Sequence, residues 1–221
     1  ELILPRSLFC WSPATYNCRL IPLGGLVNQL ILFTKLPRMG LVKTRLARDI
    51  GIVRAWQFSC RSIKAITPLT RDPRWQCCLA ISPDTAVHQT RFWPRAHNYL
   101  AQGNGDLGER MSRIIKKMPP GPVVILGTDI PTIRPCHIAS AFLALNKNDV
   151  VFGPSRDGGY WLIGVKRRPI YKEIFTSVNW STDSALEDTI SNLPPHWNYK
   201  FLETMEDIDE GNAFIRWKQN S

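Results

Sequence analysis

The run Leu30-Ile-Leu-Phe-Thr-Lys-Leu-Pro-Arg-Met-Gly-Leu-Val-Lys-Thr-Arg-Leu-Ala47 constrains the fold of this chain most tightly. Its apolar opening, Leu30 to Phe33, reads as a short buried strand. Pro37 and Gly40 break that strand into a loop, and a helix start is expected near Lys43 and Arg45. Strand, glycine-containing basic loop and helix in this order can build a phosphate site, because a helix N-terminus offers free N–H groups and a partial positive charge. Lys35, Arg38, Lys43, Arg45 and Arg48 add cations, and no acid intervenes before Asp49. The same stretch also fits a basic, solvated surface turn, and taken alone it does not choose between the two.

The remaining apolar runs extend this strand–helix alternation. Residues 44–66 carry apolar side chains at mixed three and four spacing, the pattern of a helix interrupted at Gly51. Pro68 and Asp72-Pro73 mark a loop, and Trp75–Ile81 a second strand. Between Ser82 and Leu100 no element is legible. Gln102–Met111 is a glycine-rich loop entering a helix, with Asp106 placed as its N-cap and Leu107, Met111, Ile114, Ile115 and Met118 on one face. Val123–Asp129 reads as a buried parallel strand with a carboxylate at its C-terminal end. Asp149–Pro154 and Tyr160–Val165 are strands around Ser155-Arg-Asp-Gly-Gly159, which is either a plain hairpin turn or a substrate cradle. Ser184 and Glu187 have capping-box spacing at the next helix. Trp197–Glu203 is a last strand, and a short helix carries Phe214 and Trp217. The order predicts an α/β layer fold with a mainly parallel sheet.

At 221 residues, 44% hydrophobic and 21% charged, the chain can bury a core as one domain. Residues 28–221 are read as that domain and residues 1–27 as an N-terminal extension without an assigned role. The formal net charge of +10 favours an anionic partner without naming it. Six cysteines form no C-x-x-C pair, so they are expected to be reduced thiols, and the expected compartment is cytoplasmic. No apolar run reaches the roughly 20 residues needed to span a bilayer, and no secretory-signal order is seen at the start.

Placed side by side at one edge of a parallel sheet, the basic loop, the Asp106 loop, Asp129, the Asp157-Gly-Gly loop and Asp207/Asp209 could line one site. Cations facing a few carboxylates suit a phosphorylated substrate held with Mg²⁺ or Mn²⁺, a hard ion that needs only one or two protein carboxylates. Other chemistries lack their patterns. There is no Walker A run and no G-x-S-x-G elbow. The four histidines have no metal-ligand spacing. Gly103-x-Gly105-x-x-Gly108 satisfies a dinucleotide fingerprint literally but follows no recognisable strand, and is discounted.

Leu32–Leu46, Gln102–Met111, Val124–Pro131, Val150–Val165 with its Gly-Pro-Ser-Arg-Asp-Gly-Gly-Tyr core, and Val178-Asn-Trp-Ser-Thr182 form five ordered blocks. Together they resemble the DUF2064 family of GT-A-type proteins, also called radical-SAM/selenodomain-associated transferase 1. The resemblance spans roughly residues 28–215 and ends on Asp207-Ile-Asp209. It implies a three-layer α/β/α sandwich with a mostly parallel mixed sheet, like nucleotide-diphospho-sugar transferases. It further implies a glycosyltransferase A-type transferase, with guanylyl- or cytidylyl-type nucleotidyl transfer releasing pyrophosphate as the alternative. A non-catalytic nucleotide or nucleic-acid binder is a third reading; nucleic acid is disfavoured because the basic residues do not alternate with aromatics.

Carried over, the nucleotide-binding residues are Thr34, Lys35, Pro37, Gly40, Lys43, Arg45 and Asp106, with Lys43 and Arg45 as catalytic cations. Asp129 and Asp209 are the implied metal ligands. Asp157, Gly158, Gly159, Tyr160, Trp180 and Thr182 face the sugar or acceptor. The expected partners are a nucleotide or nucleotide-sugar and an unnamed acceptor, with a homodimer as the permitted oligomer. The chain departs from its relatives at Arg38-Met39, where an acidic residue and a second proline are common, and after Asp209, where Glu-Gly-Asn replaces Thr-Pro-Glu-Asp.

Overall fold

A computed structural model of the chain describes residues 26–89 and 91–219. The expected N-terminal extension therefore lies outside the described residues except for Leu26 and Val27. Seven strands form one sheet: β1 (Gln29–Lys35), β2 (Gln76–Ser82), β3 (Asn98–Ala101), β4 (Gly121–Gly127), β5 (Val150–Pro154), β6 (Tyr160–Arg167) and β7 (Tyr199–Phe201). Their order is β3-β2-β1-β4-β6-β5-β7. Only β6 runs against the others, pairing antiparallel with both β4 and β5. Helices α1 (Thr44–Ile50), α2 (Ile52–Ala65), α3 (Thr67–Arg71), α4 (Leu107–Lys117), α5 (Pro135–Leu145), α6 (Ala185–Ser191) and α7 (Gly211–Gln219) complete the alternation.

The strands read as continuous apolar runs because both sheet faces are covered. Leu30, Leu32, Leu79, Ile81, Val124 and Leu126 pack on one face against Ile63 and Ile66 of the α2 end, Leu69 of α3, and Ile138, Phe142 and Leu145 of α5. Their neighbours Ile31, Cys78, Ala80, Val123 and Ile125 point to the opposite face and meet Met111, Ile114 and Ile115 of α4. This two-sided burial makes the three-layer sandwich. A third cluster joins Leu46 of α1, Ala55 and Phe58 of α2, and Ala213 of α7 to Ile208. Ile208 is only 3% exposed, so it anchors the loop that carries Asp207 and Asp209.

Register then gathers the loops at one edge. Lys35 lies opposite Ser82, Phe33 opposite Gly127, and Ile81 opposite Ala101. Ser155 bridges Met205 in parallel, which brings the chain after β7 to the same edge.

Several expectations need correction. Pro68 lies in the first turn of α3 rather than in a loop, a position where its missing N–H costs nothing. The stretch before the Gly103–Gly108 pattern does contain a strand, the four-residue β3. That glycine run serves packing: a Cβ on Gly108 would come within 2.7 Å of Phe175 Cβ and 2.8 Å of Trp180 Cζ2. Ser184 occupies the α6 N-cap position, but its side chain makes no cap bond. Its hydroxyl donates instead to Asp188 at 3.2 Å, so the box with Glu187 does not form. The β5–β6 connection is a hairpin, and its turn also lines a cavity, so the pairing does not choose between the two open readings.

Asp106 does cap α4. Its Oδ1 accepts from Glu109 N at 2.8 Å, and Glu109 Oε2 accepts from Asp106 N at 2.9 Å. Replacing Asp106 by alanine is expected to cost about 1 kcal/mol. The melting temperature should fall by about 2–4 °C, as measured by circular dichroism.

Candidate active site

The loop after β1 is held at both ends by Leu36 and Val42, each 8% exposed. Lys35 Nζ donates to Leu41 O at 3.0 Å, and Trp56 Nε1 donates to Pro37 O at 3.2 Å. The loop ends on Lys43, whose backbone is left-handed (φ 49°, ψ 49°). Such a conformation disfavours a residue with a Cβ and is found where surrounding structure imposes it. Here the Lys43 carbonyl accepts the first helical bond of α1, from Ala47 N at 2.8 Å.

The Lys43 side chain then turns inward. Its ammonium forms an ion pair with Asp129 Oδ1 at 3.0 Å and donates a short hydrogen bond to Asp209 Oδ1. It also lies 5.9 Å from the Phe58 ring centroid. The Lys43 side chain is 8% exposed, against 58% for Asp129 and 39% for Asp209. The ammonium is therefore deep, while both carboxylates reach solvent. Burial is the largest single influence and opposes the charge, but the two carboxylates together outweigh it and hold the Lys43 amine above its usual range. Lys43 is thus a cation at neutral pH.

Asp129 stands two residues beyond β4, where Thr128 Oγ1 donates to Thr34 Oγ1 at 3.3 Å and ties the β4 and β1 ends together. Burial, followed by the charges of Asp209 and Asp157, pushes the Asp207 carboxyl up to about 6. Among the described residues no three carboxylate, histidine or cysteine side chains converge as a metal cage. What the structure offers is a pair: Asp129 and Asp209 converge on one nitrogen and already share one cation. That donor set fits a hard divalent ion completed by water and phosphate oxygens.

Two adjacent cavities flank the pair. The larger, about 550 Å³, is lined by Thr34, Lys35, Lys43, Arg45, Asp129 and Asp209 among others. The smaller, about 190 Å³, is lined by Asp157, Gly159, Tyr160, Trp180, Thr182 and Asp207 among others. Asp129 and Tyr160 line both.

Pro37, Gly40, Asp106 and Gly158 line neither cavity. Pro37 and Asp106 serve the loop and the α4 cap described above. Gly158 sits at φ +84°, with a Cβ there only 2.1 Å from Asp183 O, so the turn admits no side chain. Tyr160 lines both cavities as a neutral ring, since burial pushes its phenol up and outweighs the opposing bond of its hydroxyl with Thr189 Oγ1 at 3.4 Å.

Sequence reasoning passed over Gln102, Arg110 and Ser62 among the lining residues. Gln102, 4% exposed, donates from Nε2 to Thr34 O (3.1 Å) and Ala80 O (2.8 Å), and accepts from Arg110 Nη1 at 2.9 Å. Arg110 Nε also donates to Asp106 O at 3.1 Å, which fixes a cation in the larger cavity. Both residues fell within a recognised block, but Arg110 bonds the backbone carbonyl of residue 106 and the side chain of Gln102, contacts that residue type alone does not signal. Ser62 lines the larger cavity with a buried hydroxyl that has no hydrogen-bond partner among the described residues, and no sequence signal marks it. Asp207, expected with Asp209 at this edge, lines the smaller cavity.

The sheet order, the two-sided burial and the cavities at the carboxyl edge define a GT-A-like nucleotide-diphospho-sugar transferase fold. A protein of Desulfovibrio desulfuricans G20, whose assignment as a nucleotide-diphospho-sugar transferase is itself provisional, shares it at 25% identity and a TM-score of 0.78, with 88% of each chain covered. The 4-diphosphocytidyl-2C-methyl-D-erythritol synthase of Anaerococcus prevotii DSM 20548 shares the fold at 14% identity and a TM-score of 0.59, covering 88% of this chain and 99% of that one. Glucosyl-3-phosphoglycerate synthase of Mycobacterium tuberculosis, in complex with Mn²⁺, UDP and glucosyl-3-phosphoglycerate, does so at 13% identity and a TM-score of 0.50, covering 87% and 75%. No curated protein matches the sequence. The family model of DUF2064, uncharacterised proteins conserved in bacteria, matches residues 65–182, more than half of the chain, and the chain belongs to this family. Lys43 and Asp209 lie outside the matched span.

Gln102→Ala is expected to lower stability by about 2 kcal/mol, because it strips one hydrogen bond from each of two buried carbonyls. Urea unfolding measures this.

Proposed function

We propose that the chain is a divalent-cation-dependent transferase that takes a nucleotide or nucleotide-sugar donor in the larger cavity. One observation carries the reading: a buried ammonium clamped between two solvent-reaching carboxylates at the carboxyl edge of the sheet. In open α/β sheets ligands bind at that edge.

In this reading Lys43 and Arg45 hold donor phosphates, with Thr34 and Lys35 beside them on the β1 end. Asp129 and Asp209 hold Mg²⁺ or Mn²⁺, which when bound supplies charge neutralisation at phosphate oxygens. The smaller cavity takes the sugar or acceptor, with the Tyr160 and Trp180 rings as apolar walls and Asp157 and Thr182 as polar contacts. Sharing Asp129 between the cavities puts the donor phosphate beside the acceptor, the proximity that group transfer requires. Residues 28–221 act as the single catalytic domain.

In glycosyl transfer an acceptor hydroxyl attacks the sugar carbon and the nucleoside diphosphate leaves. A second reading has a specific support: Lys35, Lys43, Arg45 and Arg110 all line the larger cavity. Four cations suit a triphosphate, hence nucleotidyl transfer with pyrophosphate leaving. The released product, nucleoside diphosphate or pyrophosphate, separates the two.

A thermal-shift panel of nucleoside triphosphates and nucleotide-sugars, with and without Mg²⁺ or Mn²⁺, tests the shared claim. At a hundredfold excess over Kd, one nucleotide class should stabilise the protein by about 2.7 kcal/mol. The gain should depend on the metal and vanish in Asp129→Ala and Asp209→Ala. Lack of metal-linked stabilisation by every nucleotide would contradict the proposal.

A further inference from the structure

We infer that the Lys43 ammonium is the resident counter-cation of the Asp129–Asp209 pair and competes with the divalent ion for it, so that the site takes metal and phosphate as a couple. This rests on the transferase reading of the site and adds how its occupancy is controlled.

Lys43 Nζ contacts Oδ1 of both carboxylates, the same two groups proposed to hold the metal. A divalent ion held by those carboxylates must use oxygens that the ammonium already occupies, and its charge would sit beside Nζ of the buried member of the trio. Metal alone must therefore displace the ammonium from its partners. The displaced cation would lose both of its contact partners, leaving it a Phe58 ring that offers only a weak quadrupole and the more distant Asp207 carboxylate.

A phosphate changes that balance. It gives the ammonium a new anionic partner in the same cavity, and its oxygens complete the shell of the metal. Lys43 can make the exchange by side-chain rotation alone. Its carbonyl is held by Ala47 N and its left-handed backbone is fixed at the head of α1, so the loop need not move. The carboxylates are the exposed members of the trio, so the metal has an approach from solvent that does not pass the lysine. Each ligand then raises the affinity for the other by the same factor, as linkage requires.

The test uses the full chain and Mn²⁺, with free ion counted by electron paramagnetic resonance. Wild-type protein should bind Mn²⁺ alone weakly, and excess inorganic phosphate should tighten it. Lys43→Met should bind Mn²⁺ alone at least about tenfold more tightly than wild type, equivalent to about 1.4 kcal/mol. Phosphate should add much less in that variant. Lys43→Arg keeps the charge and should behave as wild type, and Lys43→Gln should follow Lys43→Met. A readout on the unaltered protein guards against a variant that fails to fold: mass-spectrometric mapping of acetylation at Lys43 should rise as Mn²⁺ saturates the site. Mn²⁺ affinity that is unchanged or weaker in Lys43→Met and Lys43→Gln, or acetylation at Lys43 that ignores Mn²⁺, would overturn the competition and leave the transferase reading standing. Failure of Mn²⁺ to bind any of these proteins, even with nucleotides present, would overturn both.

Discussion

The ion cluster of Lys43, Asp129 and Asp209 depends on three separate parts of the chain meeting at one point. Lys43 comes from the loop after β1, Asp129 from the end of β4, and Asp209 from the segment after β7. Burying an ammonium without partners is strongly unfavourable, and two carboxylates supply the compensation. The cluster thus couples the order of the central strands to the position of the C-terminal segment. Ile208, buried between Asp207 and Asp209, fixes that segment from the other side by packing with Leu46, Ala55 and Phe58. Asp49 Oδ2 accepts from Gly211 N at 2.7 Å and ties the start of α7 to α1.

The same arrangement explains why the site is polar in a fold whose sheet is otherwise apolar. Strands covered on both faces leave polar side chains nowhere to go but the strand ends. The parallel register places the carboxyl ends of β1, β2, β3 and β4 at one edge, and the antiparallel β6 returns Tyr160 to it. Gln102 then ties β1 to β2 through two buried carbonyls and positions Arg110. Structural hydrogen bonds and the placement of site cations are therefore one network.

Much of this was legible in the sequence, for identifiable reasons. The strand β4 and Asp129 were readable because an apolar run that ends abruptly in a carboxylate marks where a buried strand emerges into solvent. The α4 cap was readable because Asp106 and Glu109 interact locally. The short elements were not: β3 has four residues and α3 five, too few for periodicity to register. Pro68 looked like a breaker because position within a helix, not residue type, decides its effect. Capping-box spacing at Ser184 misled because Asp188 competes for the same hydroxyl. Ser62 was invisible because a serine on a helix face becomes notable only when the cavity beside it is known. The pairing of Lys43 with two acids 86 and 166 residues away is a tertiary fact, although each partner was singled out separately.

Anomalous diffraction from crystals grown with Mn²⁺ and the nucleotide that stabilises the protein best would show which side chains hold the metal and where Lys43 goes. One strong manganese peak coordinated by Asp129 and Asp209 is expected, with nucleotide phosphate in the larger cavity and Lys43 Nζ moved from the carboxylates onto a phosphate oxygen. A nucleotide seated away from this edge, or manganese bound elsewhere with the Lys43 clamp intact, would contradict the proposed site.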